Sequence, residues 1–504
     1  MAKETLRPKF HFTPRHGWMN DPNGLFYLNG VYHLYFQYYP KDIVWGPMHW
    51  GHATSKDLIT WTEHEIVLFP DEKGYIFSGC IVVDKANTSG FGTKDTTAIV
   101  AIFTYHDPIA EANGKKSYQT QGLAYSLDGG FTFTKFSDNP IIENPGLKDF
   151  RDPKIIWDKA RNKWLMVVST YAETFFYTSN NLIDWEYKSR FGKDIGAHGG
   201  VWECPDIFPL QIKDSYNHPS ETKWILVQSL NPGGANGGSG TQYFVGDFDG
   251  SEFQLDANFK DDLLKNGAFW LDHGKDNYAS VSWSNIPDED GRRIIIGWMS
   301  NWHYADKTPE HSFRGKMTLP RTLNLKKSGN NYKLISEPVS ELKDFTSNIL
   351  RLNNKVLEGT LEIADKFKTL NSSLIIIEIA PIGKGCITIV LSNDIGEQLT
   401  FGLDRLENVY FIDKTKSGLT SFSEQFSTPI STAPTPENLK SFELSAIVDE
   451  GSIEVFINKG QTVMTEIVFN TKPFSKITLC NTSTEKTVIN KFVIDSINLK
   501  SQYA

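Results

Sequence analysis

Residues 18–39, WMNDPNGLFYLNGVYHLYFQYY, set a cluster of turn-forming residues, Asn20 to Gly24, against two runs of aromatic and branched side chains. Pro22 fixes its own φ and pushes Asp21 towards extended backbone, while Asn23 and Gly24 tolerate positive φ. Taken alone, this is the grammar of a surface turn. However, Trp18 and Met19 precede it, and the runs LFYL and VYHLYFQYY follow it, so the neighbourhood is apolar. That places Asp21 at a strand end in aromatic surroundings, where a carboxylate can be held rigidly enough to act as a nucleophile.

Working outward, the same grammar recurs. KWLMVVST (163–170), KWILVQSL (223–230) and RRIIIGWMS (292–300) are short runs rich in β-branched and aromatic residues, while few stretches show a helical apolar period. The chain therefore reads as all-β. Three segments, SKDLITW (55–61), SLDGGFTF (126–133) and SNNLIDW (179–185), each open with Ser and an Asp or Asn before an aromatic. They read equally as three ordinary turns or as one turn repeated in four-stranded units such as propeller blades. The character of the chain changes after Arg321. The last of 13 Trp is Trp302, and alternating segments such as GSIEVFIN (451–458) and TVMTEIVF (462–469) take over. Alternation of this kind predicts half-buried antiparallel strands. The expected organisation is a catalytic domain over 1–325, a linker over 326–344 and a β-sandwich over 345–504.

Composition narrows the partners. A length of 504 residues suggests two to four domains, and a net charge of −9 with no Lys/Arg-rich run argues against nucleic acid or an anionic membrane surface. No apolar run is long enough to span a bilayer. The opening MAKETLRPKF lacks the apolar core of a signal peptide, so export depends on a signal removed upstream and stays open. Cys80, Cys204, Cys386 and Cys480 are scattered without metal or disulfide spacing and are expected to be buried free thiols. Sequons occur at Asn87, Asn371 and Asn481. No cofactor or metal is expected; His49 and His52 read as structural or sugar-contacting residues, and NPGGANGGSG (231–240) as a tight loop between blades, since it lacks the GK[ST] of a phosphate loop.

Two further acidic motifs accompany Asp21. In FRDPK (150–154), Arg151 adjoins Asp152 and is expected to keep that carboxylate ionised. In WECPD (202–206), Glu203 lies between Trp202 and Cys204, an apolar setting that would suit a general acid. Cys204 itself lacks a nearby His base and is read as packing.

WMNDPNG, FSG (77–79), RDP and ECP, in this order, resemble the glycoside hydrolase family of invertases, inulinases and levanases. The resemblance continues through NPGGANGGSGTQYFVGDFDG (231–250), WLDHGKDNYAS (270–280), GWMSNW (297–302) and RGKMTLPRTL (314–323), and VDEGSIEVFINKGQ (448–461) is similar to the family's accessory sandwich. It implies a five-bladed β-propeller followed by a β-sandwich, acting without cofactor on β-fructofuranosides such as levan, inulin or sucrose. It also implies Asp21 as nucleophile, Glu203 as acid/base and Asp152 as transition-state stabiliser. Asn20, Gln37, Trp45, Phe77, Ser78, Arg151, Tyr278 and Trp298 match positions lining the sugar pocket, with Asp276 a weaker candidate. The expected reaction is retaining, through a covalent fructosyl-enzyme, and exo-acting, with an endo-levanase or a sucrose-preferring invertase as alternatives within the family. An inverting propeller glycosidase and a non-catalytic fructan-binding propeller are the rivals outside it, and substrate preference and oligomeric state stay open.

Overall fold

The computed structural model describes residues 6–212, 221–363, 367–436, 439–483 and 485–499; the outer ends of the two expected domains, 1–5 and 500–504, lie outside these. Five antiparallel sheets come first. Their innermost strands are Gly17–Leu28, Tyr75–Asp84, Phe150–Asp158, Val201–Gln211 and Tyr278–Ser282, in blades I to V. Each innermost strand touches the next, and the fifth touches the first, so the ring is closed as a five-bladed propeller. Phe313–Arg314 adds in parallel beside Gly17 and Trp18.

Every innermost strand carries a β-bulge at the same level. Two residues oppose one at Asn20-Asp21 against Gln37, Phe77-Ser78 against Thr104, Asp152-Pro153 against Val168, Cys204-Pro205 against Gln228, and Ala279-Ser280 against Gly297. A bulge leaves one residue outside the ladder and re-aims its side chain, and Pro is tolerated there because no ladder N–H is needed. Asp152, Cys204 and Ala279 have positive φ, the local strain of this re-aiming. Asp21 thus lies within a 12-residue strand and not in a turn or at a strand end. Gly24, at φ +55°, allows a second bulge where a Cβ would meet Ile81 Cδ1 at 2.8 Å.

The three look-alike segments occupy one place, the turn from the third to the outermost strand of blades I, II and III. In each, the Ser hydroxyl accepts from backbone N–H groups at Asp57 and Leu58, Asp128 and Gly130, or Asn181 and Leu182. The next Asp or Asn side chain caps the two N–H groups beyond. Asp249 repeats the second half of this pattern in blade IV.

Residues 326–338, expected within a linker, instead complete blade V. Arg321–Ser328 and Asn331–Pro338 form a hairpin on Arg293–Trp298, with Leu323, Leu325, Tyr332 and Leu334 buried. Only the short 3₁₀ helix Ser340–Phe345 connects to the second unit. That unit stacks two six-stranded sheets around alternating residues such as Ile375, Ile377 and Ile379 on one and Ile387, Ile389 and Leu391 on the other.

The strands Ser452–Ile457 and Thr462–Ile467 are not half-buried as their alternation predicted; both faces are covered, because their polar face presses on the propeller. There Arg321 binds Asp272 at 2.8 Å and also Glu454, His11 bridges Asp449 (2.9 Å) and Glu454 (2.8 Å), and Lys414 binds Asp276 at 3.1 Å. The glycine-rich segment 231–240 lies within blade IV, between its second and third strands, and not between blades; Asn236 uses it to bond Thr432 of the sandwich. All four cysteines are free, but only Cys80 and Cys204 are buried; Cys386 and Cys480 are partly exposed. Asn371 and Asn481 are buried, which leaves Asn87 as the exposed sequon.

Candidate active site

The bulges of blades I, II and III, through Asn20, Asp21, Phe77, Ser78 and Asp152, border a cavity of about 270 Å³ that Glu203 of blade IV also lines. Asp21, Asp152 and Glu203 all line it, from blades I, III and IV. In a ring of five, blades I and IV are not neighbours, so Asp21 and Glu203 reach the cavity from separated parts of its wall.

Asp21 Oδ2 accepts from the Ser78 hydroxyl at 2.7 Å and lies 3.4 Å from the Cys204 thiol, whereas Oδ1 is buried without a partner. Burial, and then the charge of Glu203, raise the Asp21 pKa against the hydrogen bonds from Ser78, Asn20 and Cys204. Asp152 Oδ2 accepts the Cys204 N–H at 3.0 Å. Burial pushes Asp152 up to about 7 despite Arg151, with Glu203 and Asp21 adding repulsion. The expectation that Arg151 keeps Asp152 ionised is therefore corrected: the guanidinium is 4.0 Å from Asp152 and spends its donors on Glu203 Oε1 (3.0 and 3.2 Å) and Asp149 Oδ1 (2.6 Å).

The apolar setting expected for Glu203 is corrected too. Trp202 points away and donates to Ala197 O, while Glu203 is held by Arg151 on one oxygen and by the Tyr278 hydroxyl on the other. Cys204 packs beside Asp21 and Asp152, and burial keeps its thiol protonated, which excludes it as a thiolate nucleophile.

Among the other expected pocket residues, Asn20, Gln37, Trp45, Phe77, Ser78 and Arg151 line the cavity. Asn20 accepts from Trp18 Nε1 at 2.8 Å, Gln37 donates to Ile76 O at 3.0 Å, and Trp45 stands 42% exposed at the rim, edge-on to Phe77. Tyr278 and Trp298 do not line it. Tyr278 is 1% exposed and donates to Glu203, and Trp298 is sealed beneath Trp302 and Trp18. Asp276 is a buried interdomain residue, bonded to Tyr304, Lys414 and Ile467 N. His52 is stacked on Tyr35 in the core, and His49 bonds Pro47 O. Among the described residues no three His, Cys, Asp or Glu side chains are grouped to hold a metal.

The opposite wall was missed: His106, Glu111, Tyr118, Gln119, Asp149 and, towards blade V, Trp302. Asp149 stands two residues before Arg151 and Trp302 ends GWMSNW, so both were in view without a signal of their own.

Residues 11–338 match the Glycosyl hydrolases family 32 N-terminal domain, and residues 338–497 the Glycosyl hydrolases family 32 C terminal. The chain belongs to glycosyl hydrolase family 32. It is similar to the levanase of Bacillus subtilis (strain 168), with 43% identity over 92% of this chain and 66% of that protein, so it spans about two thirds of that relative's length. It is 38% identical to the extracellular exo-inulinase of Aspergillus ficuum over 92% of this chain and 90% of that one. Its fold superposes on the crystal structure of the exo-inulinase from Aspergillus awamori with a TM-score of 0.89, 35% identity and full coverage of both chains. This family membership bears out the all-β fold of a propeller followed by a sandwich.

Proposed function

We propose that the protein is a retaining β-fructofuranosidase that releases terminal fructose from fructans such as levan or inulin, and from sucrose. The observation that carries this reading is the convergence of Asp21, Asp152 and Glu203 on one cavity from three different blades. Ser78 and Cys204 hold Oδ2 and so orient the carboxylate for attack on the anomeric carbon.

Glu203 carries the proton that the departing oxygen takes as the bond breaks, leaving a covalent fructosyl ester on Asp21. The Glu203 carboxylate then takes a proton from water, whose oxygen attacks the same carbon and frees Asp21. Two displacements retain configuration, and proton transfer of this kind contributes about 10² to 10⁴ in rate. Asp152 and Arg151 hold the sugar hydroxyls. Burial and repulsion between neighbouring carboxyl groups raise both Asp21 and Asp152.

Exo action is supported by the likeness to the extracellular exo-inulinase of Aspergillus ficuum over 92% of this chain and 90% of that one. Sucrose, inulin and levan should each yield free fructose, its first anomer by NMR being β. A ladder of oligomers from the polymers would refute exo action, and no fructose from any of the three would refute the assignment. Export is proposed by analogy with the extracellular exo-inulinases; no helix among the described residues is long and apolar enough to cross a membrane. Secretion of the natural gene product into the medium would test it.

A further inference from the structure

On the reading that Glu203 is the acid, we propose that Asp149 and Glu111 form the subsite for the leaving-group sugar, accepting hydrogen bonds from its hydroxyls and so setting which β-fructofuranosides are cleaved.

Asp149 is 6% exposed and lines the cavity. Its Oδ1 accepts from Arg151 Nη1 at 2.6 Å, but its Oδ2 is buried with no partner. A buried carboxylate oxygen without a donor is costly, and a ligand hydroxyl on the cavity side would relieve that cost. The same guanidinium binds Glu203 Oε1 through Nη2 at 3.0 Å, so one planar group separates Asp149 from the carboxyl that protonates the departing oxygen. A sugar attached through that oxygen lies within reach of Asp149.

Glu111 is held over the same wall by a directional chain. Gln119 Oε1 accepts from Phe150 N at 2.9 Å, which turns its amide nitrogen towards His106 Nδ1 at 3.4 Å. His106 then carries its proton on Nε2 and donates it to Glu111 Oε2 at 3.0 Å. Burial lowers the His106 pKa, which keeps the ring neutral and this tautomer in place. The ring also stacks on Phe77 at 4.2 Å, joining this wall to the fructosyl side. The Glu111 side chain is 49% exposed, and Tyr118, which hydrogen-bonds it, lines the same cavity.

The test compares kcat/KM on sucrose with that on 4-nitrophenyl β-D-fructofuranoside, whose leaving group carries no sugar hydroxyl. Asp149→Asn keeps the size and an acceptor for Arg151; Glu111→Ala removes an exposed side chain that the fold does not need. A hydrogen bond to a charged group predicts a fall of about 10- to 100-fold in the sucrose-to-aryl ratio for Asp149→Asn, and a smaller fall in the same direction for Glu111→Ala. Equal slowing on both substrates would mean that Asp149 acts only by orienting Arg151, and would overturn the proposal. If Asp149→Asn does not fold, an unchanged ratio in Glu111→Ala overturns it and a lowered ratio supports it. A wild type that cleaves neither substrate would overturn the enzyme reading, and the subsite with it.

Discussion

Replacing Asp152 by Asn should make the protein more stable at neutral pH while nearly abolishing turnover. Burial and two neighbouring carboxylates raise this group from 3.8 to about 7. Between those values the folded state keeps a proton that the unfolded chain has lost, so stability falls as pH rises from about 4 to about 7. Three pH units at about 1.4 kcal/mol each set a ceiling of about 4 kcal/mol on what ionised Asp152 costs the fold at pH 8. Asn still accepts the Cys204 N–H, which Asp152 takes at 3.0 Å, and brings no charge to bury. Urea denaturation of both proteins from pH 4.5 to 8 should therefore show a gap of about 1 kcal/mol at the acid end that opens to about 2–4 kcal/mol. Activity on sucrose should meanwhile drop by about 10³-fold or more, since the group that grips the transition state is neutralised. A variant no more stable than wild type at pH 8, or a gap independent of pH, would refute the claim that this carboxylate is held against the interests of the fold.

Asp21→Ala and Glu203→Ala should each lower kcat by at least about 10³-fold with an unchanged far-UV spectrum; a loss below tenfold in either would contradict the roles assigned. Tyr278→Phe removes a hydrogen-bond donor to Glu203, so kcat on sucrose should fall about tenfold with the fold intact; an unchanged kcat would make the tyrosine a packing residue only. Arg321→Met strands Asp272 without its cation and leaves Glu454 with His11 alone at the interface, and should cost about 3–5 kcal/mol by denaturant titration, whereas a cost under about 1 kcal/mol would show that the network is dispensable.

What the sequence revealed follows from what leaves a covalent mark in it. Three of the five bulges carry or adjoin proline, at Pro22, Pro153 and Pro205, and these are the three that present the carboxyl groups. The bulges at Phe77-Ser78 and Ala279-Ser280 have the same geometry without a proline, so only the resemblance pointed to Phe77, Ser78 and Tyr278. The wall formed by His106, Glu111, Gln119 and Asp149 had no signal at all, because closure of the ring brings these residues beside Glu203, and no spacing along the chain encodes it. Hydrophobic alternation was legible but ambiguous in a definite way. It names which residues share a face and is silent on what covers that face. In Lys326 to Pro338 the charged residues face water and the segment resembled a connector, although its apolar set closes blade V. In Thr462–Ile467 the polar residues looked solvated, yet Thr465 and Glu466, on opposite faces of the strand, are both fully buried. Arg321 donates to Thr465 and Lys414 pairs with Glu466, from 144 and 52 residues away in the chain. Two strands with the same pattern thus serve an outer edge and an inner interface, and the difference lies in the cations that the rest of the fold delivers to them.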